Sequence, residues 1–355
     1  MRPWEKNIRT VIPYVPGEQP NVKGMVKLNT NENPYPPAPG VEQVLHGIDT
    51  DILRLYPDPT IGLLVEELAH FYHLEKDQVF VGVGSDDVLA TAFLTFFNSE
   101  KPILFPDITY SFYPVWCDLY RIPYERPALD ENFCIIKEDY FRPNGGIVLA
   151  NPNAPTSICE DISVIEEIIQ NNQESIVIID EAYIDFGGTS AVDLIAKYEN
   201  LIVVQTFSKS RSMAGMRIGY AMGNAILIKA LNDVKYSINS YTMNQTAILA
   251  GVEAVKDVKC FREGIEKLMA TRSQAELRLK ELGFSFPESG ANFLFVSHNT
   301  IPAKVIFEEL RKQNIYVRYF NAPRIDNYLR ISIGTDEEMK RLLDALKELI
   351  EKYHQ

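Results

Sequence analysis

Apolar residues in the first two thirds of the chain alternate between helical spacing and short continuous runs. The stretches TIGLLVEELAHFY (60–72) and DDVLATAFLTFF (86–97) place apolar side chains at i, i+3 and i+4, which predicts two amphipathic helices. Continuous runs of branched and aromatic residues that end in polar residues form a second set: VFVGV, PILFP, GIVLANP, SIVIIDEAY and NLIVVQTFSKS. Such runs are typical of strands in a parallel sheet that is covered on both faces. The pattern predicts an α/β fold with a mostly parallel sheet between helices.

The pattern changes near residue 259. A long, charged helical pattern over 260–282 leads into three strand patterns, NFLFV, IYVRYF and YLRISIG. A last helix is predicted from near Thr335, because apolar residues recur at helical spacing at Met339, Leu342, Leu343, Leu346, Leu349 and Ile350. The proline-rich first forty residues cannot hold a regular helix or a central strand. We therefore expect an N-terminal arm (1–40), a large domain (41–258) and a smaller α+β C-terminal domain (259–355).

Composition excludes several classes of function. The chain has 355 residues, of which 46% are hydrophobic, so it can bury a large core. A net charge of −13 disfavours binding to a phosphate backbone, and we expect no nucleic-acid partner. No uncharged apolar run reaches about 18 residues and no signal peptide is apparent, which predicts a cytoplasmic protein without a membrane span. The four cysteines are widely spaced, and His70 and His73 lack a clear third ligand, so we expect no metal.

Polar residues follow several predicted strands at the point where each strand ends. Ligands of open α/β sheets bind beyond these carboxyl ends. The stretch VGVGSDD (81–87) places two glycines before a helix that is expected to start at Ser85 or Asp86, with one of the two as N-cap. Free N–H groups at such a start can bind phosphate, although Asp87 occupies the third glycine position of a dinucleotide fingerprint. The stretch NPNAPTS (151–157) adds asparagine amides at another strand end.

Two charged residues at strand ends indicate the chemistry more directly. Asp180 follows four branched aliphatic residues, where a buried carboxylate needs an ion pair, a helix N-terminus or a cationic ligand. Lys209 lies just beyond LIVV, where its amine could act as a nucleophile rather than as a solvated surface group. Ser208, Ser210 and Arg217 could bind a phosphate. An amine, a carboxylate and phosphate donors together match the aldehyde, ring nitrogen and phosphate of pyridoxal 5′-phosphate.

The motifs of the chain resemble those of the fold-type I pyridoxal-phosphate aminotransferases, and within them of the histidinol-phosphate aminotransferases. In chain order they are LNTNENPYPP (28–37), YPDP (56–59), GSDD (84–87), NPNAPTS (151–157), DEAY (180–183), SKSRSMAGMRIG (208–219) and YLRISIG (328–334). The resemblance implies a homodimeric enzyme of histidine biosynthesis that converts L-histidinol phosphate and 2-oxoglutarate into imidazole-acetol phosphate and L-glutamate. An aromatic amino acid aminotransferase and a lyase similar to threonine-phosphate decarboxylase remain the alternatives.

The resemblance also implies a role for each candidate side chain. Lys209 would form the Schiff base with pyridoxal phosphate, Asp180 would pair with the ring nitrogen, and Tyr183 would bind the ring hydroxyl oxygen. Further contacts to the cofactor are expected from Tyr110, which would stack on the ring, and around the phosphate from Ser85, Asp86, Thr206, Ser208, Arg217 and, across a dimer interface, Tyr56. Arg330 would bind the carboxylate of glutamate or 2-oxoglutarate and face the phosphate of histidinol phosphate, for which Arg318 and Tyr14 are further candidates.

One loop departs from the family pattern. The family usually has asparagine immediately before Pro-Thr-Gly, where its amide holds the ring hydroxyl oxygen. Ala154 stands at that position here, and Ser157 replaces the glycine. We expect Asn153 to make the missing contact, with Asn151, or Tyr183 alone, as the alternatives.

Overall fold

The secondary structure was obtained from a computed structural model, which describes residues 2–353. The strands are β1 (Val26–Lys27), β2 (Val79–Gly82), β3 (Ile103–Leu104), β4 (Tyr124–Glu125), β5 (Gly146–Ala150), β6 (Val177–Asp180), β7 (Leu201–Thr206), β8 (Gly219–Gly223), β9 (Phe284–Ser285), β10 (Phe293–His298), β11 (Ile315–Tyr316), β12 (Arg318–Tyr319) and β13 (Leu329–Ser332). The α-helices are α1 (Pro39–Gly47), α2 (Gly62–Tyr72), α3 (Ser85–Phe96), α4 (Phe112–Tyr120), α5 (Ile162–Gln170), α6 (Ala225–Ile238), α7 (Gln245–Lys256), α8 (Val258–Glu281), α9 (Ala303–Lys312) and α10 (Asp336–Tyr353).

Seven strands form the central sheet in the order β2-β8-β7-β6-β5-β3-β4. The strands from β4 to β7 pair in parallel, and β8 runs antiparallel to both β7 and β2. Alternate residues of β6 enter different cores, because Val177 and Ile179 pack on one face of the sheet and Ile178 on the other. The predicted α/β fold with a mostly parallel, doubly covered sheet is confirmed. Strand β8 was not predicted, because its sequence GYAMG lacks a branched apolar run.

A smaller sheet has four strands in the antiparallel order β12-β13-β10-β9. Helices α8, α9 and α10 contribute Leu279, Leu310 and Leu346 to its core. Helix α10 begins at Asp336, one residue after the predicted start. At that start the Glu338 backbone N–H donates to Thr335 Oγ1 (3.2 Å), and the Thr335 N–H donates to the Glu338 carboxylate (2.8 Å).

The N-terminal segment contributes to this smaller core. Strand β1 pairs in parallel with β11, and Val26 and Leu28 are fully buried among residues of the C-terminal helices. The expected domain boundaries stay a prediction, with the added observation that residues 26–28 pack with the C-terminal part. None of the helices in the described part of the chain has both the length and the apolar character that crossing a bilayer requires.

Candidate active site

A cavity of about 980 Å³ lies at the carboxyl ends of the central strands. The last residues of β5, β6 and β7 (Ala150, Asp180 and Thr206) line it, as the location of ligand sites in α/β sheets predicts. The structure brings together around this cavity most of the side chains singled out from the sequence: Tyr14, Ser85, Asp86, Tyr110, Asp180, Tyr183, Thr206, Ser208, Lys209, Arg217, Arg318 and Arg330. Four other candidates, Asn151, Asn153, Ser210 and Tyr56, do not line it.

The amine of Lys209 is held at the wall of this cavity. Its Nζ donates a hydrogen bond to the carbonyl oxygen of Thr30 (3.0 Å) and lies 5.7 Å from the centroid of the Tyr183 ring. The loop that carries the lysine is fixed in turn, because Asn33 Nδ2 donates to the Lys209 carbonyl oxygen (3.1 Å). The N-terminal segment therefore positions the amine as well as packing with the C-terminal core.

Asp180 is a buried carboxyl with only 5% of its surface exposed. The Tyr113 hydroxyl donates to its Oδ2 (2.8 Å), and the backbone N–H of Ala182 donates to its Oδ1 (3.3 Å). Burial raises the pKa of Asp180 to about 6, against the effect of these two hydrogen bonds, and the charge of Asp86 adds to the rise. Within residues 2–353 no cationic side chain forms an ion pair with Asp180, so the group is suited to a positive charge on a ligand.

Helix α3 begins beside the end of β7 because of the register of three strands. Strand β8 pairs Gly219 with both Gly82 of β2 and Thr206 of β7. This approach requires glycine, since a Cβ on Gly219 would lie 2.2 Å from the backbone nitrogen of Ser85. The N-cap of the helix is Gly84, in a left-handed conformation (φ +88°), so the prediction of Ser85 or Asp86 as N-cap is wrong. Glycine replaces a capping side chain and leaves the first N–H groups accessible.

Hydroxyl and guanidinium donors surround this helix start. The Arg217 guanidinium lies against Gly84, where a Cβ would be 2.5 Å from Nη2. Arg217 Nη1 donates to Ser208 Oγ (3.4 Å), and the Ser208 and Thr206 hydroxyls are 3.0 Å apart. The Tyr110 hydroxyl donates to Asp86 Oδ1 (2.8 Å), and the same carboxylate lies 3.7 Å from Arg217 Nη2. The donors at the helix start, the two hydroxyls and the guanidinium together fit a phosphate group.

Two arginines on neighbouring strands also line the cavity. Arg318 of β12 and Arg330 of β13 are direct cross-strand partners. Arg330 Nη2 donates to the Asn29 carbonyl oxygen (2.9 Å), whereas its buried Nε has no hydrogen-bond partner among the described residues. Burial lowers the pKa of Arg330, and the like charge of Arg318 adds to this effect. Because neither arginine pairs with a carboxylate anywhere in residues 2–353, the pair is suited to bind an anion.

Aromatic side chains form the wall next to these arginines. The Arg330 guanidinium lies 5.4 Å from the Phe293 ring centroid and 5.8 Å from that of Phe320. Tyr14 stacks on Phe112 with ring centroids 4.1 Å apart. The cavity therefore combines an anion site with flat apolar surface.

The amide of Asn153 lies outside the cavity lining. Its Oδ1 accepts from the Thr109 hydroxyl (2.8 Å), and its Nδ2 donates to the Ile108 carbonyl oxygen (3.0 Å) and to Thr156 Oγ1 (2.9 Å). Asn151 likewise uses its amide on the backbone of Glu160. Both amides are used in hydrogen bonds to other parts of the chain, which gives no support to the expectation that either one replaces the asparagine absent at Ala154.

Tyr56 also lies away from the cavity of its own chain. The side chain is 82% exposed and stacks on Tyr241, with ring centroids 4.5 Å apart. Leu53 and Leu55 beside it are also exposed. Several exposed apolar side chains therefore lie close together in sequence here.

Sequence reasoning missed two residues that contact the assigned ones. Tyr113 binds Asp180, but as an aromatic residue on the buried face of α4 it gives no sequence signal of that contact. Asn31 donates from Nδ2 to the Tyr183 hydroxyl (3.0 Å). Its position in the polar stretch NTNENP, between the buried Leu28 and the following prolines, was a signal that could have found it.

Comparison with known proteins defines the class. Residues 23–346 match the family described as Aminotransferase class I and II, and the chain belongs to this family, as its motifs predicted. Histidinol-phosphate aminotransferase of Lactococcus lactis subsp. cremoris (strain MG1363) is 50% identical over 347 residues, which are 98% of each chain. Histidinol-phosphate aminotransferase of Clostridium botulinum (strain Okra / Type B1) is 49% identical over 349 residues, covering 98% of this chain and 99% of its own.

Solved structures confirm the fold. Histidinol-phosphate aminotransferase from Sinorhizobium meliloti, in complex with pyridoxal-5′-phosphate, has a TM-score of 0.84 at 21% identity and covers 92% of this chain and 91% of its own. L-threonine-O-3-phosphate decarboxylase from Porphyromonas gingivalis has a TM-score of 0.80 at 22% identity, with 92% and 100% covered. Since both activities occur on this fold, the fold alone does not distinguish them.

Proposed function

We propose that the chain is a pyridoxal-phosphate-dependent aminotransferase of histidine biosynthesis, which transfers the amino group of L-histidinol phosphate to 2-oxoglutarate. The observation that carries this proposal is that the cross-strand pair Arg318 and Arg330 lines the same cavity as Lys209 and Asp180. The names of the relatives at about half identity over nearly the whole chain support the same substrates.

The residues of the cavity fit pyridoxal phosphate at each of its polar groups. When bound, this cofactor supplies an aldehyde carbon that takes up the transferred amino group. It also supplies a ring that accepts electrons from the substrate's α-carbon. Lys209 Nζ would hold the cofactor, and Asp180 would keep a proton on its ring nitrogen. The start of α3, Ser208 and Arg217 would bind its phosphate.

The same residues act on protons and on substrate orientation. The Nζ of Lys209, when it is not holding the cofactor, would move a proton between the substrate's α-carbon and the cofactor's carbonyl carbon. Tyr183 would hold a hydrogen bond at the cofactor's ring oxygen. The two arginines would bind the carboxylate of 2-oxoglutarate in one half-reaction and the phosphate of histidinol phosphate in the other, because a guanidinium pairs with both anions through two N–H groups.

A donor comparison tests this substrate assignment. Glutamate formation from 2-oxoglutarate should be much faster with histidinol phosphate than with phenylalanine. Arg318→Gln should raise the KM for histidinol phosphate by about 10- to 100-fold, the effect of losing a charged hydrogen bond, and change phenylalanine turnover little. Arg278→Gln, on the exposed face of α8, is the matched control. Preference for phenylalanine would move the assignment to aromatic amino acids, and carbon dioxide release from threonine phosphate would indicate a lyase.

A homodimer in which Tyr56 reaches the cofactor phosphate of the partner subunit is part of the proposal. Its support is the 82% exposure of Tyr56 and the exposed Leu53 and Leu55 beside it, since exposed apolar patches mark association surfaces. The cytoplasmic location stays a prediction from the sequence.

Mixed dimers separate this arrangement from one within a single chain. Tyr56→Phe and Lys209→Ala subunits, each impaired alone, are dissociated, mixed and reassociated. If Tyr56 acts across the interface, the hybrid contains one site with both native residues, and activity should recover to about a quarter of the parent. An unimpaired Tyr56→Phe homodimer, or no recovery in verified hybrids, would contradict the arrangement.

A further inference from the structure

A hydrogen-bonded network joins Tyr183 to the strand that carries the substrate arginine. Its centre is Asn31, whose Nδ2 donates to the Tyr183 hydroxyl (3.0 Å). The Asn31 backbone N–H donates to Ser332 Oγ (2.8 Å), and the Ser332 hydroxyl donates to Asn31 Oδ1 (2.9 Å). Asn292 Nδ2 donates to the Asn31 carbonyl oxygen (3.0 Å). Asn31 is 1% exposed, so no solvent competes for these bonds.

The network fixes which end of the Asn31 amide faces the tyrosine. The Ser332 hydroxyl donates its single hydrogen to the Asn31 side chain, where only Oδ1 can accept it, while its oxygen accepts from the Asn31 backbone N–H. The opposite end, facing Tyr183, is therefore the NH₂ group. An NH₂ group only donates, and the Tyr183 oxygen must act as acceptor in this bond.

This polarity leaves the hydroxyl hydrogen of Tyr183 free for a second partner. The hydroxyl lies in the wall of the cavity, on the ring whose centroid is 5.7 Å from Lys209 Nζ. We propose that Asn31 is a positioning residue, which obliges Tyr183 to donate its hydrogen into the cavity toward the ring oxygen of the cofactor. The inference rests on the proposed function, because it requires that cofactor beside Tyr183.

The Asn31 amide also connects Tyr183, on the cofactor side of the site, with the strand that carries Arg330. Ser332 and Arg330 are two residues apart on β13, and alternate residues of a strand point to the same face. A change at Ser332 therefore affects Asn31 and, through it, Tyr183. Ser332→Ala removes the hydroxyl that orients the amide without altering any residue assigned to the cofactor or to the substrate.

Two substitutions at Asn31 test the proposal without backbone strain. Asn31 is left-handed (φ 56°), a conformation that glycine and aspartate tolerate. Asn31→Gly removes the donor, and Asn31→Asp replaces it with an acceptor that takes the Tyr183 hydrogen for itself. Asn314→Gly, at a left-handed asparagine (φ 57°) between α9 and β11, is the matched control.

The readout is the pH titration of the visible absorbance of protein loaded with pyridoxal phosphate, without substrate. A hydrogen bond donated to the cofactor's ring oxygen lowers the pKa of the nearby proton whose loss changes the absorbance. Losing the hydrogen bond from Tyr183 should therefore raise the midpoint pH of the titration. We expect a rise of about half to one pH unit in Asn31→Asp, and smaller rises in Asn31→Gly and Ser332→Ala. In a Tyr183→Phe background Asn31→Gly should add nothing.

The outcomes separate this inference from the proposed function. Unchanged midpoints in both Asn31 variants would overturn the positioning role, as would an undiminished Asn31→Gly effect in the Tyr183→Phe background. An equal rise in Asn314→Gly would also overturn it. Failure of the parent protein to develop any cofactor absorbance would instead refute the proposed function.

Discussion

Replacing Asp180 with asparagine should make the protein more stable without its cofactor and less able to bind it. Burial raises the pKa of the carboxyl from 3.8 to about 6, so the folded protein binds this proton more tightly than the unfolded chain. The carboxyl therefore costs stability as pH rises from 3.8, and the full cost, above about pH 6, is about 3 kcal/mol. The asparagine side chain would lose one of the two hydrogen bonds that the carboxylate accepts, worth about 1 kcal/mol.

The expected net gain for Asp180→Asn is thus about 2 kcal/mol at about pH 8, and it should fall to about zero near pH 4.5. Urea denaturation of cofactor-free protein at both pH values measures it. Asp161→Asn, an exposed N-cap of α5 that asparagine also caps, should give no such gain. The extra stability that pyridoxal phosphate confers should be smaller in Asp180→Asn than in the parent. A cofactor-free variant less stable than the parent at the higher pH, or a gain that does not depend on pH, would refute the reasoning.

Two further substitutions test the two anion sites. Gly84→Ala should weaken pyridoxal phosphate binding at least about 10-fold in an absorbance titration, because the new Cβ would lie 2.5 Å from Arg217 Nη2 at a left-handed φ, whereas Gly264→Ala, which meets no atom within 4 Å, should bind normally. Arg330→Lys should raise the KM for 2-oxoglutarate by about 10- to 100-fold through loss of paired N–H donors, and an unchanged KM would contradict the assignment.

Local patterns predicted most of the fold because they reflect burial. The runs that became β5, β6 and β7 are apolar throughout, as strands covered on both faces require. Strand β8 was not predicted, because glycine, alanine and methionine give no strand signal. Its residue Gly219 nevertheless allows α3 and β7 to approach each other. Its role depends on a close approach between segments far apart in sequence, which no local pattern contains.

The candidate site was predictable where a residue follows a strand and not where it depends on long-range contact. Asp180 and Lys209 each follow an apolar run. Because the strands β6 and β7 formed by these runs are parallel neighbours, both residues were expected at the same edge of the sheet. Asn31, by contrast, meets Tyr183 from 152 positions away. For Asn153 the sequence showed an available amide, but in the folded chain that amide binds Ile108 and Thr156.

The most direct test of the account is to find where the cofactor attaches. Purified protein is loaded with pyridoxal phosphate, reduced with borohydride, digested and analysed by mass spectrometry. We predict a single phosphopyridoxyl-modified peptide, at Lys209, and none at that position in Lys209→Ala, which should also lose transamination. A parent protein that stays unmodified, one modified only at other lysines, or a Lys209→Ala variant that keeps its activity would contradict the account.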